Sequence, residues 1–288
     1  MIVDKTKLGI SFFDETFGGI YRGRQMLCSG RHSSGKSILA CHFLNQGIQD
    51  GDKVLLLSNY RAQDTIIVAE SLGLPFAKAV TEGQLSILEY ASFIPESTAS
   101  ANVMLPPQSF MELQETVESQ SIRRLAFDTI LPWVAIHPVA RIAEHVYSFI
   151  HAIERLGVTA MLTLPKPVSN PSFTLKSRLE DLCPVAINID HENGTNRVLR
   201  VTKYLGEVMN LSTLFPFVIT PGRGIISEAE AQAMPAPEPD IKTGVSNKSA
   251  PGAQTLPPTA PDSASANATD NAPRKKPINF SSVIRFPE

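Results

Sequence analysis

Eight consecutive residues of this chain match the spacing of a phosphate-binding loop. Residues 30–37 read Gly-Arg-His-Ser-Ser-Gly-Lys-Ser and fit the pattern G-x-x-x-x-G-K-[ST]. Glycines at both ends let backbone N–H groups turn toward a phosphate chain, the lysine can reach the β and γ phosphates, and the final serine hydroxyl can ligate Mg²⁺. The segment therefore predicts a site for ATP with Mg²⁺. The predicted nucleotide contacts are Gly30, Arg31, His32, Ser33, Ser34, Gly35, Lys36 and Ser37.

One aspartate is the best candidate for a second magnesium contact. Enzymes with such a loop hold the metal with a carboxylate at the end of a neighbouring strand. Asp128 directly follows the apolar run Leu125–Phe127, and no other acidic residue ends a buried strand so clearly. We therefore predict Ser37 and Asp128 as the magnesium ligands, with a helix or turn cap as the alternative role of Asp128.

The segments around these residues alternate in the manner of an α/β protein. The apolar run Gln25–Ser29 predicts a buried strand before the loop, and the apolar spacing from Ser37 to Leu44 predicts a helix after it. Segments 185–189 and 197–201 flank an Asn-Gly pair, which predicts a β-hairpin. We expect an α/β fold with a mostly parallel central sheet and a small antiparallel C-terminal extension. Further strands, each expected to be central and buried on both faces, are predicted at 54–58, 85–88, 124–127 and 158–164, and a helix at about 140–156.

The overall composition limits the class of protein. The chain has 288 residues, of which 43% are hydrophobic, enough for one sizeable domain with an appendage. Its three cysteines show neither CxxC nor Cys/His metal spacing, so a disulfide framework or a zinc site is not expected. The net charge of -2 provides no overall basic field for nucleic acid. Without a signal-like start or an apolar run long enough to span a membrane, the sequence predicts a cytoplasmic protein.

The composition changes near residue 230. From 231 to 279 the chain has no aromatic residue and is rich in Pro, Ala, Ser, Thr and Asn, so it cannot bury enough apolar area to fold. We therefore expect an ATP-binding domain at 1–228, a disordered linker at 229–279 and a short apolar-basic terminal peptide at 280–288. The terminal peptide is interpreted either as a docking segment for a protein partner or for the chain's own assembly, or as a frayed tail.

Segments at both ends of the predicted domain carry a family resemblance. Residues 8–23, the run Lys203-Tyr204-Leu205-Gly206 and residues 214–225 resemble the leader and closing segments of the KaiC-like branch of the RecA superfamily. The resemblance covers about residues 5–228 and implies a RecA-like P-loop core. It also implies a homo-oligomeric ring, usually a hexamer, with ATP between adjacent subunits and Lys203 approaching the neighbour's γ-phosphate.

Two departures from that family's pattern concern hydrolysis. The strand after the first helix usually ends in two glutamates, one of which is the base for the attacking water, whereas this chain has Asn59 and Tyr60. Loss of a general base commonly lowers the rate by roughly 10²–10⁴-fold. The arginine that partners the family's lysine is replaced by Leu205, which removes a charge that would stabilise the transition state. We predict binding without fast turnover, unless a carboxylate from elsewhere takes over: Asp64, Glu70 or Glu89.

These residues leave three functions open. The first is an ATP-binding oligomeric switch or scaffold with weak or no hydrolysis. The second is an active ATPase or autokinase of circadian-clock type, against which Asn59 and Tyr60 count. The third is a recombinase- or helicase-like DNA motor, for which residues 165–178 would supply a pore-facing loop, the alternative being a solvated loop.

Stacking aromatics are scarce in that loop, so nucleic acid is the weakest predicted partner. Its cations are Lys166, Lys176 and Arg178, and its aromatic residue is Phe173.

Overall fold

The computed structural model of the chain describes residues 4–89, 107–134, 141–191, 196–208, 210–211 and 213–233. The predicted terminal peptide, and the predicted linker from residue 234 onward, lie outside the described residues. The strands are β1 (Lys5–Thr6), β2 (Ile20–Tyr21), β3 (Gln25–Gly30), β4 (Lys53–Ser58), β5 (Leu85–Glu89), β6 (Ile122–Asp128), β7 (Thr159–Pro165), β8 (Val185–His191), β9 (Arg197–Tyr204), β10 (Leu214–Thr220) and β11 (Gly224–Ser227). The helices are α1 (Ser11–Phe17), α2 (Lys36–Gln49), α3 (Ala62–Ser71), α4 (Phe76–Thr81), α5 (Pro107–Gln120), α6 (Leu131–Val134), α7 (Ile142–Arg155), α8 (Asn170–Leu182) and α9 (Glu228–Gln232).

Most of these strands form one twisted sheet in the order β11-β10-β9-β8-β3-β7-β6-β4-β5. The six strands from β8 to β5 in this order run parallel, and β9, β10 and β11 are added antiparallel at one side. This arrangement confirms the predicted α/β class, with its mostly parallel sheet and antiparallel C-terminal extension. The parallel strands carry their loops at one carboxyl edge, where ligand sites of such sheets form.

Two predictions about individual strands have different outcomes. Strands β8 and β9 pair antiparallel as the hairpin prediction requires, from Val185 opposite Tyr204 to His191 opposite Arg197, while the turn at 192–195 lies outside the described residues. The prediction that 85–88 is a central strand is wrong. Among the described residues, strand β5 has β4 as its one neighbour and ends the sheet on the other side. Leu85 is buried, and Ser86, Ile87 and Leu88 are half-buried.

The core lies in two layers because successive side chains of each buried strand point to opposite faces. In β4, Val54 and Leu56 pack on the face that α1 to α4 cover, whereas Leu55 and Leu57 pack on the face of α5 to α8. Both faces of the central strands are thereby closed. None of the helices in the described parts of the chain combines the length and apolar character of a membrane span.

A buried arginine fixes the N-terminal leader to the far end of α2. The Arg124 guanidinium is 1% exposed, forms ion pairs with Asp50 and Asp52, and donates to Thr6 Oγ1 at 2.7 Å and to the Lys7 carbonyl at 2.9 Å. A buried charge needs such pairing to offset its desolvation. Leader, helix and sheet are therefore joined at the edge opposite the phosphate loop.

Candidate functional site

The predicted phosphate loop lies between β3 and α2, as strand, loop and helix start in order. Gly30 ends the strand, and a Cβ there would lie 2.2 Å from the Ile189 carbonyl oxygen and 2.8 Å from Ser34 Oγ, so glycine is required. Gly35 precedes the helix with φ of 108°, a conformation that disfavours other residues. The loop backbone is therefore held in a tight turn at the N-terminus of α2, where N–H groups favour anions.

Lys36 places its ammonium inside this turn. Its Nζ donates to the carbonyl oxygens of Gly30 at 3.1 Å and Arg31 at 2.6 Å. Burial lowers the pKa of Lys36, because the charged form loses water. Ser34 Oγ is also buried and has no hydrogen-bond partner among the described residues. A ligand with several anionic oxygens would satisfy both groups.

Ser37 and Asp128, the two predicted magnesium ligands, are brought together beside Lys36. Asp128 ends β6, and its Oδ1 accepts a hydrogen bond from Thr163 Oγ1 at 3.0 Å. Burial raises the pKa of Asp128, while hydrogen bonds from Ser37 and Thr163 and the charge of Lys36 oppose that rise. A cation next to this carboxylate would further favour its charged form. The role of both residues as metal ligands remains a prediction.

The end of β4 places Asn59 and Tyr60 at the same cavity. Asn59 N donates to the Asp128 carbonyl oxygen at 3.3 Å, and the Tyr60 side chain is 51% exposed. Asp64, on the first turn of α3, also lines this cavity. The other two carboxylates considered above are engaged elsewhere: Glu70 Oε1 accepts from Ala77 N at 2.9 Å, and Glu89 Oε1 accepts from Ala62 N at 2.7 Å.

The cavity itself has a volume of about 680 Å³ and continues from the phosphate loop between α2, α3 and the antiparallel strands. Arg197 of β9 and Ile219 of β10 form a wall that the sequence did not reveal. A Cβ built on Gly35 would lie 3.1 Å from Ile219 Cδ1 and 3.9 Å from Arg197 Cδ. Their place at the cavity depends on the register of β9 and β10, in which Arg197 lies opposite Phe217, and a local sequence pattern does not give that register.

An ion pair with Asp190 of β8 anchors the phosphate loop at Arg31. Arg31 forms an ion pair with Asp190 at 3.0 Å, and Lys166 contacts the same carboxylate at 3.3 Å. His32 is exposed and lines the cavity, as does Ser33, whose φ of 58° is the left-handed conformation. Six of the eight predicted loop residues, His32 to Ser37, line the cavity, and Gly30 and Arg31 directly precede them; the contacts of all eight with nucleotide remain a prediction.

Lys203 lies apart from this chain's own cavity. Its Nζ donates to the carbonyl oxygens of Glu180 at 2.7 Å and Asp181 at 2.8 Å, at the C-terminal end of α8. A cation is favoured there by the helix dipole. Leu205, two residues on, is 56% exposed. The predicted action of Lys203 on a neighbouring subunit remains a prediction.

The predicted pore-facing loop is a helix over most of its length. Residues 170–178 belong to α8, which begins after Ser169, where Ser169 N donates to Ser172 Oγ at 2.9 Å. The loop prediction is therefore wrong for these residues, because a capping arrangement starts a helix in a segment that reads as polar and proline-rich. Its three cations pair with carboxylates of the same chain: Lys166 with Asp190, Lys176 with Glu180 at 3.0 Å, and Arg178 with Asp181 at 3.8 Å.

Known proteins resemble this chain in sequence and in fold. The family model described as "ATPase: KaiC" matches residues 6–231 of the chain. The circadian clock oscillator protein KaiC of Nostoc sp. is 26% identical over 227 residues, which cover 76% of this chain and 43% of that protein. The protein of the same name from Synechococcus elongatus is 24% identical with the same coverage. The chain spans less than half the length of these curated relatives.

A solved structure with a similar fold is that of a KaiC-like protein from the hyperthermophilic archaeon Pyrococcus horikoshii OT3. The match has a TM-score of 0.63 at 23% sequence identity and covers 78% of this chain and 99% of the archaeal one. These matches confirm the resemblance that the leader and closing segments suggested.

Proposed function

Since this chain belongs to the KaiC family of ATPases, we propose that it binds ATP with Mg²⁺ beside the phosphate loop and acts as a nucleotide-dependent regulatory switch or scaffold with weak or no hydrolysis. The observation that carries this proposal is the contrast within one cavity. Its phosphate-binding side holds Lys36, Ser37 and Asp128, whereas the end of β4 supplies Asn59 and Tyr60 where a base would be needed.

Lys36 provides the positive charge of the proposed phosphate site. In the complex its ammonium would exchange the carbonyls of Gly30 and Arg31 for phosphate oxygens, while the loop N–H groups bind the rest of the chain. An anion beside a buried ammonium restores the interaction that desolvation removed. Binding of a triphosphate is thus favoured by the same burial that lowers the pKa of the free lysine.

Ser37 and Asp128 provide the oxygen ligands that suit Mg²⁺. Among the described residues no group of three or more His, Cys, Asp or Glu side chains is arranged to hold a metal ion. A magnesium ion here would complete its shell with waters and phosphate oxygens, as it commonly does at nucleotide sites. When bound, Mg²⁺ would neutralise charge on the phosphates, and Asp128 and Ser37 would orient it.

Weak or absent hydrolysis follows from the groups at the end of β4. An attacking water needs a group that takes its proton, and the side chains of Asn59 and Tyr60 do not accept one at neutral pH. Asn59 can still orient a water by hydrogen bonding. Slow turnover would let bound ATP persist and act as a structural ligand, whose binding energy stabilises the form that binds it.

We extend the proposal to a homo-oligomeric ring, in which ATP lies between adjacent copies. Lys203 fits a role across the interface because it does not line its own cavity, and it would leave the C-terminus of α8 to reach a phosphate. Leu205 cannot add the second charge, so a neighbour would contribute binding energy more than catalysis. The hexameric size, and a protein partner recruited by the terminal peptide at 280–288, belong to this proposal.

An active ATPase or autokinase of circadian-clock type is the second candidate, and one observation favours it. Asp64 lines the cavity beside Asn59 and Tyr60 and is the carboxylate that could act as base there. The DNA motor gains no such support, since Lys166, Lys176 and Arg178 are paired with carboxylates within the chain.

Equilibrium dialysis with ATP and Mg²⁺, followed by light scattering of the same samples, tests the proposal. We expect saturable binding of ATP and a larger assembly when ATP is present. Absence of binding would contradict the proposed nucleotide site. An assembly of the same size with and without ATP would contradict the proposal that ATP is the interface ligand.

A further inference from the structure

A buried histidine on the helix of the phosphate loop contacts two separate segments, the N-terminal leader and strand β11. His42 lies seven residues after Gly35, about two helical turns, so both face the same side of α2. Its side chain is nearly buried, with 7% of the residue exposed. Neither the loop chemistry nor the magnesium site uses this imidazole.

Both ring nitrogens of His42 are engaged with backbone groups. Nε2 accepts a hydrogen bond from Ile225 N at 2.9 Å, and the ring also hydrogen bonds with the backbone of Gly9. Because Gly9 N already donates to Asp14 Oδ2, the imidazole donates to the Gly9 carbonyl, which leaves Nδ1 as the protonated nitrogen. Burial lowers the pKa of His42 to about 4, so this neutral tautomer is the form present at neutral pH.

The bond to Ile225 connects α2 to the wall of the cavity through a single strand pair. Ile225 of β11 lies directly opposite Ile219 of β10 in the antiparallel register. Ile219 lines the cavity, and its Cδ1 packs against Gly35 at the start of α2. His42 therefore fixes the strand whose partner covers the phosphate loop.

The packing around His42 leaves little room for displacement. A Cβ on Gly224 would lie 2.1 Å from His42 Nε2, and a Cβ on Gly9 would lie 2.7 Å from the His42 carbonyl oxygen. Both glycines have positive φ, at 70° and 95°. Leader and β11 thus approach α2 as closely as backbone allows, and the imidazole lies between them.

The turn of the β10–β11 hairpin, just before the Ile219–Ile225 pair, contacts the helix that follows Asn59 and Tyr60. Gly222 N donates to the Ser71 carbonyl oxygen at 2.8 Å, where α3 ends. A Cβ on Gly73 would lie 2.2 Å from the Gly222 carbonyl oxygen. The hairpin therefore spans from α2 to α3, the two helices that bound the cavity.

From this chain of contacts we propose that His42 is a positioning residue of the nucleotide site. Its hydrogen bond to Ile225 holds the β10–β11 hairpin, and with it Ile219, over the phosphate loop. The inference rests on the proposed function, because it names how this chain shapes the site that binds ATP. His42 does not touch the phosphates and acts through the hairpin.

Two substitutions separate the two bonds of the imidazole. Glutamine in His42→Gln can place an amide oxygen near the position of Nε2 and keep the bond to Ile225. Asparagine in His42→Asn is too short for that bond, but its amide nitrogen can replace Nδ1 at the Gly9 carbonyl. Both variants remove the imidazole, so a difference between them reports the hairpin bond.

A matched control is the buried histidine on the opposite face of the sheet. His145 of α7 is 2% exposed, and its Nε2 lies 2.8 Å from the Trp133 carbonyl oxygen, away from the cavity. His145→Asn should lower the thermal midpoint through a lost buried hydrogen bond without changing nucleotide affinity. The control distinguishes a general loss of stability from a displacement of the β10–β11 hairpin at the nucleotide site.

Calorimetric titration of ATP with Mg²⁺ into the folded variants tests the inference, with hydrogen exchange of the Ile225 amide as a second readout. We expect His42→Asn to weaken binding about tenfold and to expose the amide, since one buried hydrogen bond is lost, while His42→Gln stays within about threefold of wild type. Equal losses in both variants, wild-type affinity in His42→Asn, or an equal loss in His145→Asn would overturn the inference. No binding by the wild-type protein would instead refute the proposed function.

Discussion

At the scale of single residues, charge and hydrogen-bonding capacity are distributed unevenly around the cavity. The proposed phosphate and magnesium contacts Lys36, Ser37 and Asp128 line one cavity, at the start of α2 and at the end of β6, and β7 separates β6 from β3 in the sheet. Asn59 and Tyr60 face the same space with neutral side chains. Binding and proton transfer are therefore separable here, and each can be tested by substitution.

The first residue-scale prediction concerns Lys36. Lys36→Ala should abolish measurable ATP binding and weaken any ATP-dependent assembly, because the half-buried cation of the loop is lost. Fluorescence titration and light scattering on the same samples check both effects. Arg22→Ala, which removes an exposed ion pair with Asp4, is the control and should bind as wild type. An assembly unaffected by Lys36→Ala would contradict the proposed interface ligand.

The second residue-scale prediction concerns the missing base. The double substitution Asn59→Glu with Tyr60→Glu should raise ATP turnover by about 10²-fold, since a general base typically contributes at least that much. Phosphate release under saturating ATP measures it. Asp64→Asn in the wild-type background is the companion variant and should leave the slow rate unchanged. Loss of a measurable wild-type rate in Asp64→Asn would instead support the active ATPase.

The third residue-scale prediction concerns pH. Burial lowers the pKa of His42 from 6.5 to about 4, so between these values the unfolded chain binds the proton more readily than the folded one. The contribution of neutral His42 to stability is complete above pH 6.5 and is lost as pH falls toward 4.

Comparison with His42→Gln isolates this contribution, because carboxylates titrate in both proteins. The difference in unfolding free energy, wild type minus variant, should decrease by about 2 kcal/mol between pH 7.5 and pH 4.5. Urea unfolding at both pH values measures it. A difference that does not change with pH would show that His42 titrates normally in the folded protein.

At the scale of elements, the hairpin of β10 and β11 closes the site by close backbone contacts. Gly224→Ala should destabilise the protein by about 2 kcal/mol more than a substitution that only imposes a positive φ, because overpacking adds its own cost. Its Cβ would lie 2.1 Å from His42 Nε2. Gly51→Ala is the matched control, since Gly51 has φ of 83° and no atom of the described residues within 4 Å of its Cβ position. Equal thermal midpoints of the two variants would contradict the predicted clash.

The elements also show where sequence patterns suffice. Strands β3, β4, β6 and β7 are predicted to within about two residues because buried parallel strands are continuous apolar runs. The same pattern does not distinguish a central strand from an edge strand, so it predicts β5 as central although β5 lies at the edge of the sheet among the described residues. The pore-facing loop is predicted from the position of residues 165–178 in a RecA-like ring, which does not show that Ser169 and Ser172 form a capping box that starts α8.

Part of the candidate site can also be predicted from local sequence patterns, and part cannot. The loop and Asp128 are local signals, and the sequence predicts their positions. The remaining wall is non-local: the hydrogen bond from Ile225 to His42 joins residues 183 positions apart, and Arg197 and Ile219 reach Gly35 only through strand register. Such contacts depend on tertiary pairing, which no local pattern contains.

At the scale of the whole molecule, the domain combines an intact phosphate loop with the loss of two charged groups expected for fast turnover. Tyr60 is on the cavity side and Leu205 is remote from it, and both side chains are half-exposed. If copies assemble head to tail, one loss concerns the base within a subunit and the other the cation across the interface. Under the proposed function, both changes would favour a long-lived ATP-bound assembly over a motor.

The central claim is that the protein holds ATP without consuming it, and the fate of labelled ATP tests this most directly. Purified protein would be incubated for hours with Mg²⁺ and ATP labelled on the γ-phosphate and on the base, and bound ATP, bound ADP and phosphoprotein would be separated. We predict that the bound label remains intact ATP. Steady release of ADP, or label on the protein, would contradict the switch or scaffold and would assign the chemistry to another residue of the cavity, with Asp64 the first to replace.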